Sequence, residues 1–109
     1  MKTFEEYQSR ANATAIYPKE HSIIYPSLGL TGEAGEVAVK VKKVLRDDNG
    51  ELSDDKRTEL IKEVGDVLWY IAALCRDLEV TMSEVASINI AKLESRKNRG
   101  TLQGSGDNR

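Results

Sequence analysis

Apolar residues recur at helical spacing along most of the chain, and no stretch shows the strict alternation a half-buried strand requires. Thr3 and Glu6 form a capping box ahead of Phe4, Tyr7 and Ala11, which predicts a first helix over about 4–14 that closes before Tyr17-Pro18. Leu30, Ala34, Val37, Val41 and Val44 trace one face of a second helix over about 26–46. Pro26 fits either the first turn of that helix or the boundary with a short preceding turn. After the Asp47-Asp48-Asn49-Gly50 turn, Ser53, Asp54 and Asp55 open a third helix that runs to about Leu78. Its apolar face is Leu60, Val64, Val67, Leu68, Ile71, Cys75 and Leu78. A second capping box, Thr81 with Glu84, opens a fourth helix to about Lys97. From Gly100 onward the glycines predict a loop or a flexible tail. Four helices with short connections predict an all-α, antiparallel four-helix bundle-like domain spanning 1–109.

Composition narrows the function classes. With 39% hydrophobic and 31% charged residues and a formal charge of −2, the chain has no global field for wrapping a nucleic-acid polymer or coating a membrane. Any polyanion must be bound locally. Cys75 is the only cysteine, which excludes an intrachain disulfide and a cysteine-ligated zinc site. There is no secretory h-region and no long apolar span, so the expected compartment is the cytoplasm. The apolar stripes exceed what four helices readily bury, which predicts a homo-oligomer.

The chemistry lies in two acidic pairs, Glu33-Ala34-Gly35-Glu36 and Glu63-Val64-Gly65-Asp66. A three-residue offset places both members of a pair on neighbouring positions of one helix face, so two helices packed side by side can gather four carboxylates. Oxygen donors without His or Cys suit a hard cation, Mg2+ or alternatively Mn2+. A single E-x-x-E pair is most often a solvated acidic face. Here the acids border apolar stripes, and Glu59, Glu63, Asp66 and Tyr70 form a continuous strip whose like charges are costly without a counter-ion. Gly32, Gly35 and Gly65 each cost about 1 kcal/mol relative to alanine in a helix, which implies close approach of a neighbouring helix or a ligand. On the fourth helix Asn89, Lys92 and Arg96 share a face suited to phosphate oxygens.

Other nucleotide and metal motifs are missing. There is no G-x-x-x-x-G-K-[ST] loop, and Gly29, Gly32 and Gly35 have the wrong spacing for G-x-G-x-x-G. The 47–51 segment places glycine fourth where a calcium loop needs it sixth. A di-iron bundle would need Glu-x-x-His motifs, yet His21 lies outside both acidic pairs. Trp69 and Tyr70 are interface or packing aromatics, one of which could contact a base.

The run Gly29-Leu30-Thr31-Gly32-Glu33-Ala34-Gly35-Glu36-Val37, followed by Glu63-Val64-Gly65-Asp66-Val67-Leu68-Trp69-Tyr70, closely resembles the MazG-like nucleotide pyrophosphohydrolases. The likeness continues through 89–96 and into Gly104-Ser105-Gly106-Asp107-Asn108-Arg109. It implies an all-α fold assembled as dimers or dimers of dimers. It also implies Mg2+-dependent hydrolysis of nucleoside triphosphates to monophosphate and pyrophosphate. By the same analogy Glu33, Glu36, Glu63 and Asp66 are metal ligands, and Asn89, Lys92 and Arg96 face the substrate phosphates. The competing expectation is a non-catalytic helical module that binds nucleotide or another protein.

Overall fold

The computed structural model describes all 109 residues as four helices without a strand. Helix α1 spans Phe4–Asn12, α2 Ile24–Asp47, α3 Asp54–Asp77 and α4 Met82–Asn98, with a single 3-10 turn at Lys19–His21 before α2. Local side chains start three of the four helices. Thr3, Ser53 and Thr81 hydroxyls accept from the backbone N–H groups of Glu6, Lys56 and Glu84 at 3.1, 3.2 and 3.0 Å, which satisfies N–H groups that a first helical turn leaves free. Helix α2 is the exception: its N-cap, Ile23, offers no capping side chain and sits at φ 68°. Pro26 lies inside its first turn, where a missing N–H costs nothing, so α2 begins two residues before the predicted start. Helix α1 ends at Asn12, short of Thr14, whose hydroxyl instead donates to the Ala11 carbonyl at 2.7 Å.

Helices α2 and α3 pack side by side, joined by the 48–53 loop. As α2 is followed from Asp48 back to Gly29, its partners on α3 advance from Lys56, which pairs with Asp48, through Glu63, which meets Lys40, to Tyr70 beside Gly29. Helix α1 lies on the far part of α3. A small core of Ala11, Ala72, Cys75 and Met82 joins α1, α3 and the start of α4, with Tyr7, Leu68, Trp69, Ile71 and Val80 around it. Gln8 locks this corner: its amide N–H donates to the Val80 carbonyl at 3.1 Å and its carbonyl accepts from the Met82 N–H at 3.0 Å.

The chain is open. Its radius of gyration is 16.9 Å, against about 13 Å for a closely packed chain of this length. Much of what periodicity marks as core is therefore uncovered: Val41, Val64 and Leu78 are exposed, and of the α2 stripe only Val44 is buried. The buried positions on α3 are Ala72, Ala73 and Cys75, because α1 covers that end of the helix. Helix α4 leaves Ile88, Ile90 and Leu93 exposed. No helix is long and apolar enough to cross a membrane.

Candidate active site

The second and third helices bring three of the four predicted ligands together. One carboxylate oxygen from each of Glu33, Glu63 and Asp66 can be chosen so that all three lie within 4.8 Å of one another. Glu36, one turn further along α2, stays exposed and outside this group, although its charge is felt at Glu33. The Glu33 carboxyl is held above the ordinary range, chiefly by the adjacent Glu63 carboxylate, which favours the protonated form, then by desolvation and by the negative charges of Glu63, Asp66 and Glu36. Such a shift means that three anions share one site without enough counter-charge.

A divalent cation fits this donor set. Glu63 Oε2 is buried and has no hydrogen-bond partner, and a buried, unpaired carboxylate oxygen is costly unless a proton or a cation meets it. All three donors are hard oxygens. Lys40, an α2 residue with no assigned part in the sequence reading, reaches Glu63 Oε1 from Nζ at 3.8 Å. Its place was legible in principle, since it follows Glu36 by four residues and shares that helix face.

Beside the acids, Glu33, Asp66, Trp69, Tyr70 and Thr14 line an open cleft. The indole N–H of Trp69 donates to the Thr14 hydroxyl at 2.7 Å, which fixes the ring at the end of α1. Tyr70 stands edge-on to Trp69 with centroids 5.0 Å apart, and Tyr25 lies 6.4 Å from Tyr70 and stacks on Tyr17 at 4.7 Å. Burial raises the Tyr70 phenol above its ordinary value, with Tyr25 and the charges of Glu33 and Asp66 adding to the effect. The phenol therefore stays neutral beside the acids.

The glycines divide differently from the sequence expectation. Gly32, Gly35 and Gly65 face open space, so no neighbouring helix of this chain explains them. Gly29 is the packing glycine: a side-chain carbon there would collide with the Tyr70 ring. The basic face of α4 is divided too. Asn89 and Lys92 are exposed, whereas Arg96 is 5% exposed. Its Nη2 donates to the Asp107 carbonyl at 2.7 Å. The 101–109 segment forms a loop over it, held by Arg109, which donates to the carbonyls of Thr101, Leu102 and Gly106 at 3.2, 2.9 and 2.8 Å. None of the three α4 residues lines the cleft beside the acids.

A family model for the MazG nucleotide pyrophosphohydrolase domain matches residues 25–101, the stretch that contains both acidic pairs and all of α3 and α4. The chain belongs to this family. The match thus begins in the first turn of α2, and both α1 and the Thr14 that follows it and lines the cleft lie outside the matched region. The chain is also 50% identical to the Gene 37 protein of Mycobacterium phage L5, over 94% of this chain and 96% of that protein. No solved structure matches it.

Proposed function

We propose that this MazG domain is a Mg2+-dependent hydrolase of nucleoside or deoxynucleoside triphosphates, yielding the monophosphate and pyrophosphate in the cytoplasm as a nucleotide-pool-cleaning step. The observation that carries the reading is the convergence of Glu33, Glu63 and Asp66, with one buried Glu63 oxygen left unpaired, in a chain of this family. Glu33, Glu63 and Asp66 would hold Mg2+, or Mn2+ in its place, and Glu36 would complete the set from the next turn of α2. When bound, the ion supplies charge neutralisation for the triphosphate and makes a coordinated water more acidic.

The protein's own part is positioning. The carboxylates would hold the cation at the mouth of the cleft, and the neutral Tyr70 phenol can donate to a substrate oxygen without adding charge. Asn89 and Lys92, exposed on α4, are the proposed phosphate contacts, while Arg96 anchors the loop behind them. Because these α4 residues do not line the acid cleft of their own chain, the reading includes assembly of these antiparallel bundles as dimers or dimers of dimers. The exposed Leu28, Ile61, Val64 and Ile88 supply apolar surface for that assembly.

Incubating the pure protein with Mg2+ and a panel of nucleotides tests the proposal. Pyrophosphate should appear in step with monophosphate, and Glu63→Gln should abolish turnover while leaving the helical circular-dichroism spectrum unchanged. Orthophosphate as the released product, or no turnover with any nucleotide, refutes it. Nucleotide binding without turnover would identify the alternative, a non-catalytic nucleotide-binding module.

A further inference from the structure

The acidic cluster already has a cation of its own chain beside it. The Lys40 ammonium stands 3.8 Å from Glu63 Oε1, and the two side chains are 33% and 18% exposed, so water screens the pair only in part. A divalent cation ligated by Glu63 would bring two positive charges close to that ammonium. The two cations would compete for one carboxylate.

Lys40 has a second place to go. It lines a cavity of 190 Å³ between α2 and α3 together with Lys43, Asp47, Lys56 and Glu59. Two acids line this cavity. Asp47 is held by Arg46 at 2.8 Å, and Lys56 is engaged with Asp48. Glu59 takes part in no ion pair. It lies four residues before Glu63 on α3, one helical turn away on the same face.

We propose that Lys40 is an ion-pair switch, holding Glu63 while the cation site is empty and moving one turn to Glu59 when a divalent cation takes Glu63. The proposal rests on the metal-site reading of the cluster. In the empty state Lys40 offsets part of the repulsion among Glu33, Glu63 and Asp66. In the loaded state Glu59 offsets the cost of releasing Lys40, so the switch sets how tightly the site holds its cation. Glu59 thereby becomes a positioning residue that acts on the cation through Lys40.

The test uses Mn2+ alone as probe, with free Mn2+ followed by electron paramagnetic resonance and heats by titration calorimetry. The proteins are wild type, Lys40→Met, Glu59→Gln and the double variant. Lys40→Met should bind Mn2+ about fivefold more tightly, the upper range for one partly screened ion pair, and Lys40→Arg should restore the wild-type affinity. Glu59→Gln should weaken binding in the wild-type background and have no effect in the Lys40→Met background. A Glu59→Gln effect that persists without Lys40 would mean only through-space charge and overturns the switch. Equal affinities in all proteins also overturn it while leaving the metal site intact. Absence of Mn2+ binding in every protein, each helical by circular dichroism, overturns the metal site and the switch together.

Discussion

Asp77, the last residue of α3, is the strongest single test of how the site-bearing helix is placed. Its side chain is only 5% exposed. It accepts from the Tyr17 hydroxyl at 2.7 Å, the Ile23 N–H at 2.9 Å and Arg76 Nε at 3.2 Å. Ile23 is the N-cap of α2 and a β-branched residue at φ 68°, a conformation that costs on the order of 1–3 kcal/mol and persists only where its surroundings enforce it. Asp77→Ala removes that enforcement. A hydrogen bond to a charged acceptor is worth about 1.5–3 kcal/mol, and two such bonds from α2 and its lead-in are lost, while the longer bond from the half-buried, sequence-adjacent Arg76 is left out of the sum. Relaxation of Ile23 and rehydration of the two donors return part of this, leaving a net loss of about 2 kcal/mol, or about 10 °C in melting temperature.

Thermal and urea denaturation at pH 7, followed by circular dichroism, measures the loss. Burial alone would raise the Asp77 carboxyl, but the bonds from Ile23, Tyr17 and Arg76 outweigh it and hold the group below its ordinary value. A folded-state pKa below the unfolded one gives stability that is present above the ordinary carboxylate range and lost as pH falls through the folded value. The gap between wild type and Asp77→Ala should therefore close as the solution is acidified below about pH 4. A difference under about 0.5 kcal/mol at neutral pH, or a gap independent of pH, would refute the account of Asp77 as the clamp on α2.

Three further outcomes follow from the site and its glycines. Gly35→Ala and Gly65→Ala should each stabilise the metal-free protein by about 0.5–1 kcal/mol because nothing stands over them, whereas Gly29→Ala should destabilise by about 1–3 kcal/mol through its collision with Tyr70; denaturation midpoints check both signs. Because the Glu33 carboxyl lies above its unfolded value, mainly through the adjacent Glu63 carboxylate, the folded chain takes up protons there. The repulsive penalty should thus fall as pH drops from neutral through the raised value towards 4.5, and Glu33→Gln should flatten that part of the metal-free stability profile. At pH 7, Mg2+ at a hundred times its dissociation constant should stabilise wild type by about 2.7 kcal/mol, and calorimetric scans of Glu63→Gln should show no such gain.

Local signals in the sequence account for the helices and for the identity of the chemistry. Thr3, Ser53 and Thr81 cap the helices they were expected to cap, since a cap needs only a hydroxyl three residues from a free N–H. The start of α2 was ambiguous because its cap, Ile23, depends on Asp77, a residue 54 positions away. Gln8 escaped notice for the same reason: its partners lie 72 and 74 positions away in the sequence. The apolar stripes of α2 and α3 correctly marked helix but only in part burial, because periodicity gives a face and not what covers it.

The sequence by itself determined an all-α chain with two acidic pairs of MazG type, because three-residue spacing fixes the angular position of a side chain on its own helix. Only the tertiary structure decided that Glu33, Glu63 and Asp66 meet while Glu36 stands aside, that Lys40 reaches Glu63, and that Arg96 is covered by the 101–109 loop. Those relations depend on the axial register between helices. That register is set by long-range contacts, the approach of Gly29 to Tyr70 and the Asp77 clamp among them, and no local spacing encodes it.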